Sequence, residues 1–289
     1  MSNTIELAKS FVPKLDECYR LASLTSVLDG APELAKQGAN ANELIIPMMS
    51  MDGLADYSRN GGYVQGGVTM TNETVKCNFD RGRRFDVDVM DDLETAGLAF
   101  GRLSAQFIRD KVVPELDAFR FASYCGISGV TKKEETLADG AATVAALSAA
   151  VTAMDDEEVT ATGRYLFITP TLLQGINDMD TTKSKKVLEG FERVIKVPQR
   201  RFYTAIKQLS GKTGEEAGGY TKAAGAANIN FSIIQKDALI QYTKHAAPKI
   251  IAPENNPDAD AYVFGYRMVG IAKAYKNMLS GMYFSHDKA

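Results

Sequence analysis

Tryptophan is absent and histidine occurs only twice, at His245 and His286, so a histidine-based triad or a multi-histidine metal centre has almost nothing to draw on. The cysteines, Cys18, Cys77 and Cys125, are odd in number and lack metal-ligand spacing. They suit buried free thiols in a reducing compartment. No run approaches the ~20 apolar residues needed to cross a bilayer, and no charged segment followed by an apolar stretch opens the chain. A protein with no membrane partner, made in the cytosol or leaving it by lysis, is expected. Charge of either sign is also missing in excess: Lys and Arg total 33 against 36 Asp and Glu, a net of -3. No global field draws the chain onto nucleic acid or an anionic surface, so any basic patch must be local.

Several chemical signatures are missing as well. The carboxylates form no calcium loop, and there is no nucleophile elbow, dinucleotide fingerprint or thiol pair. The stretch "SGKTGEEAGG" at 210–219 contains Gly-Lys-Thr, but a phosphate loop needs a glycine where Ile206 stands. It reads as a solvated surface loop. No catalytic residue, cofactor or metal is expected. These absences lower the prior for an enzyme, though a small-molecule enzyme with an unrecognised site stays open as the alternative from another class.

What is present is enough for a sizeable core, 289 residues of which 45% are hydrophobic. There is no internal repeat. Residues 5–24 place Leu7, Phe11, Leu15, Tyr19 and Leu21 near one helical face around Pro13, either as a core helix or as an arm lying on a neighbouring subunit. "ELIIPMMSMD", residues 43–52, reads as a strand. "GLADYSRNGGYVQGG" then holds Gly53, Gly61, Gly62, Gly66 and Gly67, a density that makes a long flexible tip. The return limb, 68–89, ends in alternation, with Phe85, Val87 and Val89 on one face and Asp86 and Asp88 on the other. Two limbs with a glycine tip make a projecting hairpin, a feature that invites a partner.

Asp91 reads as a helix N-cap with Glu94 in the capping-box position. Leu93, Ala96, Phe100, Leu103 and Phe107 form the following stripe, which Ile108, Val112, Leu116 and Phe119 continue past Pro114, where a kink or restart is expected. After a polar linker, "AATVAALSAAVTAMDDEE" reads as a helix and "RYLFITP" as a buried strand stopped by Pro170. A mixed α/β unit continues through a helix at "TLLQGINDM", and "INFSIIQKDALIQYTK" supplies a strand and a short helix. The end of the chain reads as a strand pair, with His286 solvated.

The stretch "DRGRRFDVDVMDDLETAG", 80–97, opens on Asp80 and carries Arg81, Arg83 and Arg84 followed by five acids. Its acids fall on a strand face and at a helix start, so a paired-carboxylate site need not be invoked. Arginine pairs bidentately with carboxylates, so these residues read as glue between copies of the chain, or as a solvated cluster.

Element order, together with "DRGRRFDVDVMDDLET", "KVVPELDAFRFASY", "VPQRRFYT" and "PDADAYVFGYRMVGIAKAYKNMLSGMYFSH", resembles the major capsid proteins of tailed bacteriophages. The resemblance implies an α+β, Hong Kong 97-like fold: an N-terminal arm (1–42), an extended hairpin loop (43–85), a peripheral domain with a long spine helix (86–140 and 246–289) and an axial α/β domain (141–245). It implies pentamers and hexamers closing into an icosahedral shell around double-stranded DNA, located in the virion and, during assembly, in the host cytoplasm. A separate scaffolding protein, a portal and non-specific contact with packaged DNA are the partners implied. Tyr57, Arg59, Tyr63, Arg81, Arg83, Arg84, Asp86 and Asp88 would make inter-subunit contacts. Some members of the family cross-link a loop lysine to a neighbour's asparagine. Residues 53–75 hold no lysine, so covalent cross-linking is not expected. An encapsulin-like nanocompartment shell is the alternative within the same fold.

Overall fold

The computed structural model describes residues 23–30, 36–37, 43–90, 98–179 and 182–288. The capping residues Asp91 and Glu94, Cys18 and nearly all of the predicted helix over 5–24 lie outside them.

Strands β1 (Lys36–Gln37), β2 (Glu43–Met51) and β3 (Val68–Lys76) form an antiparallel sheet. Register between β2 and β3 is unbroken from Glu43↔Lys76 to Met51↔Val68. The predicted hairpin is therefore present, but its return limb is not one strand. The chain breaks at Cys77–Asn78, and β4 (Phe79–Asp88) joins a different sheet. Asn78 makes the transfer: its carboxamide donates to Ala272 O and accepts from Ala272 N, both at 2.9 Å. A carboxamide carries the same donor and acceptor as a peptide unit, so this side chain extends the ladder one step beyond the Phe79↔Gly270 pair.

Helix α1 (Leu98–Phe107) runs through a π turn (Ile108–Val112) into α2 (Val113–Gly126), with helical backbone at both junctions. At Pro114, where a kink or restart is expected, the π turn gives way to α2 with the proline in its first turn. Proline lacks an N–H and its ring crowds the carbonyl four residues back, and the wider π turn in front of it absorbs both effects.

Beyond β5 (Thr131–Glu134), Asp139 caps α3 (Gly140–Asp156) by accepting from Ala142 N at 2.7 Å. The fully buried β6 (Arg164–Ile168) leads into α4 (Pro170–Asp178), with proline in the first turn, where its missing N–H is harmless. There follow α5 (Thr182–Glu189), β7 (Arg193–Lys196), a small β8–β9 ribbon (Ile206–Gln208, Tyr220–Lys222), β10 (Ile229–Gln235), β11 (Leu239–Ile251), β12 (Ala261–Ala274) and β13 (Met282–His286).

The main sheet has the order β5-β13-β10-β6-β7, antiparallel inside and parallel at both edges. Alternation divides its side chains. Leu166, Ile168, Phe231 and Ile233 pack with Leu147, Ala150 and Leu173 of α3 and α4. Tyr165, Phe167, Met282 and Phe284 pack with Phe121 and Tyr124 of α2. α3 starts hard against α4: a Cβ on Gly140 would stand 2.1 Å from Gly175 O, so only glycine fits there.

The second sheet, β11-β12-β4, covers the N-terminal side of the same helical rod, with Phe79, Phe264, Tyr266 and Met268 on Ile108, Val113 and Leu116. The rod is thus shared by two cores. Two further readings change here. The short helix expected within "INFSIIQKDALIQYTK" is a 3-10 turn (Lys236–Ala238), and an unread strand, β11, follows it, with Leu239 onward pairing with β12 from Ala274. The terminal strands do not pair with each other, since β12 and β13 belong to different sheets. His286 accordingly sits half-buried in β13, opposite Ile229, rather than in a solvated tail.

Candidate assembly surface

The tip of the β2–β3 hairpin is tied at its base and at its apex. At the base, Asp52 N donates to Gly67 O (3.1 Å) and Gly67 N to Asp52 Oδ2 (2.7 Å). At the apex, Ser58 and Gly62 exchange backbone bonds, Gly62 taking a φ of 75° that disfavours other residues, and Gly61 N donates to Ser58 Oγ. The Tyr57 and Tyr63 rings meet at 4.9 Å between centroids. Gly53 stands open, and Gly66 lies over Asp52. The segment is a loop clasped at both ends.

This loop and its flanks are covered by nothing among the described residues. Met49, Met51, Leu54, Tyr57, Tyr63, Val64, Val68 and Met70 are all more than half exposed, with Tyr63 at 90%. Of the other large apolar side chains in the described residues, only Met90 and Met278 are comparably open. So dense an apolar cluster on one projection makes it the candidate interaction surface. Arg59 is exposed at the apex.

The β4 residues divide by face. Phe79, Arg81, Arg83, Phe85 and Val87 share the parity that faces the helical rod, while Arg84, Asp86 and Asp88 point outward. Arg81 is engaged within its own chain: Nε donates to Glu115 Oε1 at 2.8 Å and its terminal nitrogen to Leu209 O and Gly219 O at 2.7 and 3.2 Å. Burial holds the Glu115 carboxyl above its ordinary range, and Arg81 offsets only part of that rise. Arg83 donates to Glu216 O at 2.9 Å. Within the chain, these two arginines fasten β4 to the 209–219 loop. Only Arg84, bonded to the exposed Asp86 at 2.8 Å, faces outward. Asp88 accepts from Met90 N. No hydrogen bond or ion pair joins the tip to β4 among the described residues.

A difference in mutational response follows. Arg81→Ala strands Glu115, whose side chain is 12% exposed, and should lower folding stability by about 2 kcal/mol, less than a fully buried pair because Arg81 itself is partly open. Arg84→Ala should leave it unchanged. Chemical denaturation of both variants checks this, and equal midpoints would contradict it.

In the 209–219 loop the amides on either side of Gly-Lys-Thr turn to the loop's own acids: Ser210 N donates to Glu215 Oε2 and Gly214 N to Glu216 Oε1. Lys207 and the Ser210 amide hold the Glu215 carboxyl down to about 2. Cys125 is buried, and burial pushes its thiol up to about 11.

A second cluster, unread in the sequence, anchors residues 23–30. Asp117 of α2 has no solvent exposure and accepts from Ser23 Oγ (2.9 Å), Leu24 N (3.1 Å), Thr25 N (3.2 Å), Thr25 Oγ1 (2.7 Å) and an Arg201 nitrogen (3.2 Å). Arg120, 2% exposed, donates to Thr25 Oγ1 and Asp29 Oδ1. Gln241 of β11 closes the ring, donating to Thr25 O and Asp29 Oδ1, both at 2.7 Å, and accepting from Tyr124 Oη at 2.6 Å. The signal that could have revealed it was an acid and an arginine, three residues apart, on the apolar stripe of a helix.

No protein-family model matches the chain, and no curated protein matches it. Solved structures do. The chain is similar to the capsid structure of the cyanophage P-SCSP1u, with 12% identity over 87% of this chain and 85% of that one and a TM-score of 0.55. A structure from Gordonia phage Cozz matches at 11% identity over 93% and 87%, with a TM-score of 0.57. A virus-like particle from Pyrococcus furiosus matches at 10% identity over 94% and 95%, with a TM-score of 0.58. The architecture is the α+β fold of tailed-phage capsid proteins, the Hong Kong 97-like class that the sequence resembles.

Proposed function

We propose that this chain is the structural subunit of a closed protein shell, the major capsid protein of a tailed phage. One observation carries the reading beyond the fold: the clasped hairpin tip, which presents Leu54, Tyr57, Tyr63 and Val64 to solvent on a projection with no core of its own. Such a surface gains free energy only by covering a second copy, and copies related by rotation close into rings of five and six. The arm is assigned to 1–42, the extended loop to 43–85, the peripheral domain to 86–140 and 246–289, and the axial domain to 141–245. The hairpin proper ends at Lys76, where the sheets change partners. Scaffold, portal and non-specifically held double-stranded DNA are the expected partners, and the virion is the location. No described helix is long and apolar enough to cross a membrane.

A structural rather than catalytic role also agrees with the most elaborate polar cluster, where both Asp117 oxygens are already bonded and serve an anchor rather than a proton transfer. An encapsulin-like nanocompartment shell stays the alternative reading within the same fold. Light scattering and electron microscopy of the purified chain, alone and with its scaffold, should show particles of many copies. Nucleic acid inside particles recovered from cells supports the phage reading, and a protein cargo the compartment. A species that stays monomeric or dimeric under both conditions would sink both.

A further inference from the structure

The hairpin apex contains Asn60–Gly61, the only Asn-Gly pair in the sequence. Both residues are exposed and lie between the two residues of the Ser58–Gly62 bridge, outside any strand. The Asn60 carboxamide makes no hydrogen bond among the described residues. The Gly61 amide donates only to the exposed Ser58 hydroxyl, at 3.1 Å, so no ladder bond has to break to free it. Glycine puts no side chain beside that nitrogen, and asparagine is among the chemically labile residues.

We propose that Asn60–Gly61 is a self-modification site, converting without an enzyme to aspartate and isoaspartate while the tip is uncovered. The Gly61 nitrogen attacks the side-chain carbonyl carbon of Asn60 and a C–N bond forms. The carboxamide nitrogen leaves as ammonia, taking with it the proton that the Gly61 nitrogen loses. Water then opens the resulting succinimide at one of its two carbonyls. Each product places a negative charge beside Arg59 on the apolar tip, and isoaspartate also adds a backbone carbon inside the Ser58–Gly62 turn. Both changes oppose packing of the tip. If the proposed shell function holds, unassembled chains lose competence with age while assembled ones are protected.

Asn72 is the internal control: it is equally exposed but lies in β3, paired with Pro47 and followed by Glu73. The full-length chain is incubated unassembled in mildly alkaline buffer and mapped by peptide mass, with isoaspartate-specific methylation as a second readout. Asn60 should convert while Asn72 stays an amide. Gly61→Ala should stop the conversion without disturbing the turn, because the added Cβ clears Ser58 at 3.5 Å and the position has no positive φ. Equal conversion at Asn60 and Asn72, or unchanged conversion in Gly61→Ala, overturns the proposal. Incubating assembled particles tests the second half separately. Protection of Asn60 supports it, and equal rates in free and assembled chains remove the ageing role while leaving the chemistry, and its first test, intact.

Discussion

Excising residues 53–66, so that Asp52 joins Gly67, should leave a folded monomer that forms no particles. Met51 and Val68 are the last paired residues of the hairpin. The shortened chain therefore closes on Asp-Gly, a favoured two-residue hairpin loop. Every excised residue is exposed except the half-buried Gly62, so no core is removed. The loss falls on association. Leu54, Tyr57, Tyr63 and Val64 would each bring about 1.5 kcal/mol on burial against a neighbour, or about 6 kcal/mol per tip, roughly four powers of ten in an association constant. The same loss recurs at every subunit of a shell. Light scattering reports assembly and a thermal melt reports folding. Particles at the normal concentration would remove the tip from the assembly surface, and loss of cooperative unfolding would show that it belongs to the core.

The tip was legible because glycine at that density has no use inside a strand. Its clasp was not, because the Asp52–Gly67 bond depends on a register that only the paired strands define. On β4, alternation correctly separated Phe85 and Val87 from Asp86 and Asp88. The same count of two places Arg81 and Arg83 on the inward face, so their engagement within the chain was open to a parity argument. What they bind was not: Glu115 lies 34 residues away and the Leu209 carbonyl 128. The hairpin was read too long because residues 68–89 stay rich in strand formers across Cys77–Asn78. The break is set by Asn78 pairing with Ala272, 194 residues distant. Strand β11 went unread for a related reason, since a short apolar run suits helix or strand and its partner β12 decides.

The buried cluster on α2 leads to the largest expected effect on folding. Replacing Asp117 by alanine removes the shared acceptor of two hydroxyls, two backbone amides and Arg201, all but one of them belonging to residues 23–25. Those donors have little water to turn to, because Ser23 and Thr25 are themselves buried. Breaking a buried charged pair while leaving its partners in place lowers stability by about 4 kcal/mol, against a total of roughly 5–15 kcal/mol for a domain. Asp117→Asn keeps the shape but turns an amine toward some of the donors, and should lose about half as much. The loss should also be ordered. Leu24 and Thr25, whose amides bond to Asp117, should lose hydrogen-exchange protection first, while β6 and β10, buried throughout in the main sheet, should hold. Thermal denaturation of the two variants, with exchange at those amides, makes the measurement. An unchanged melting temperature in Asp117→Ala would show that residues 23–30 are held by Leu28 and its apolar neighbours alone, with the polar ring merely satisfied rather than stabilising.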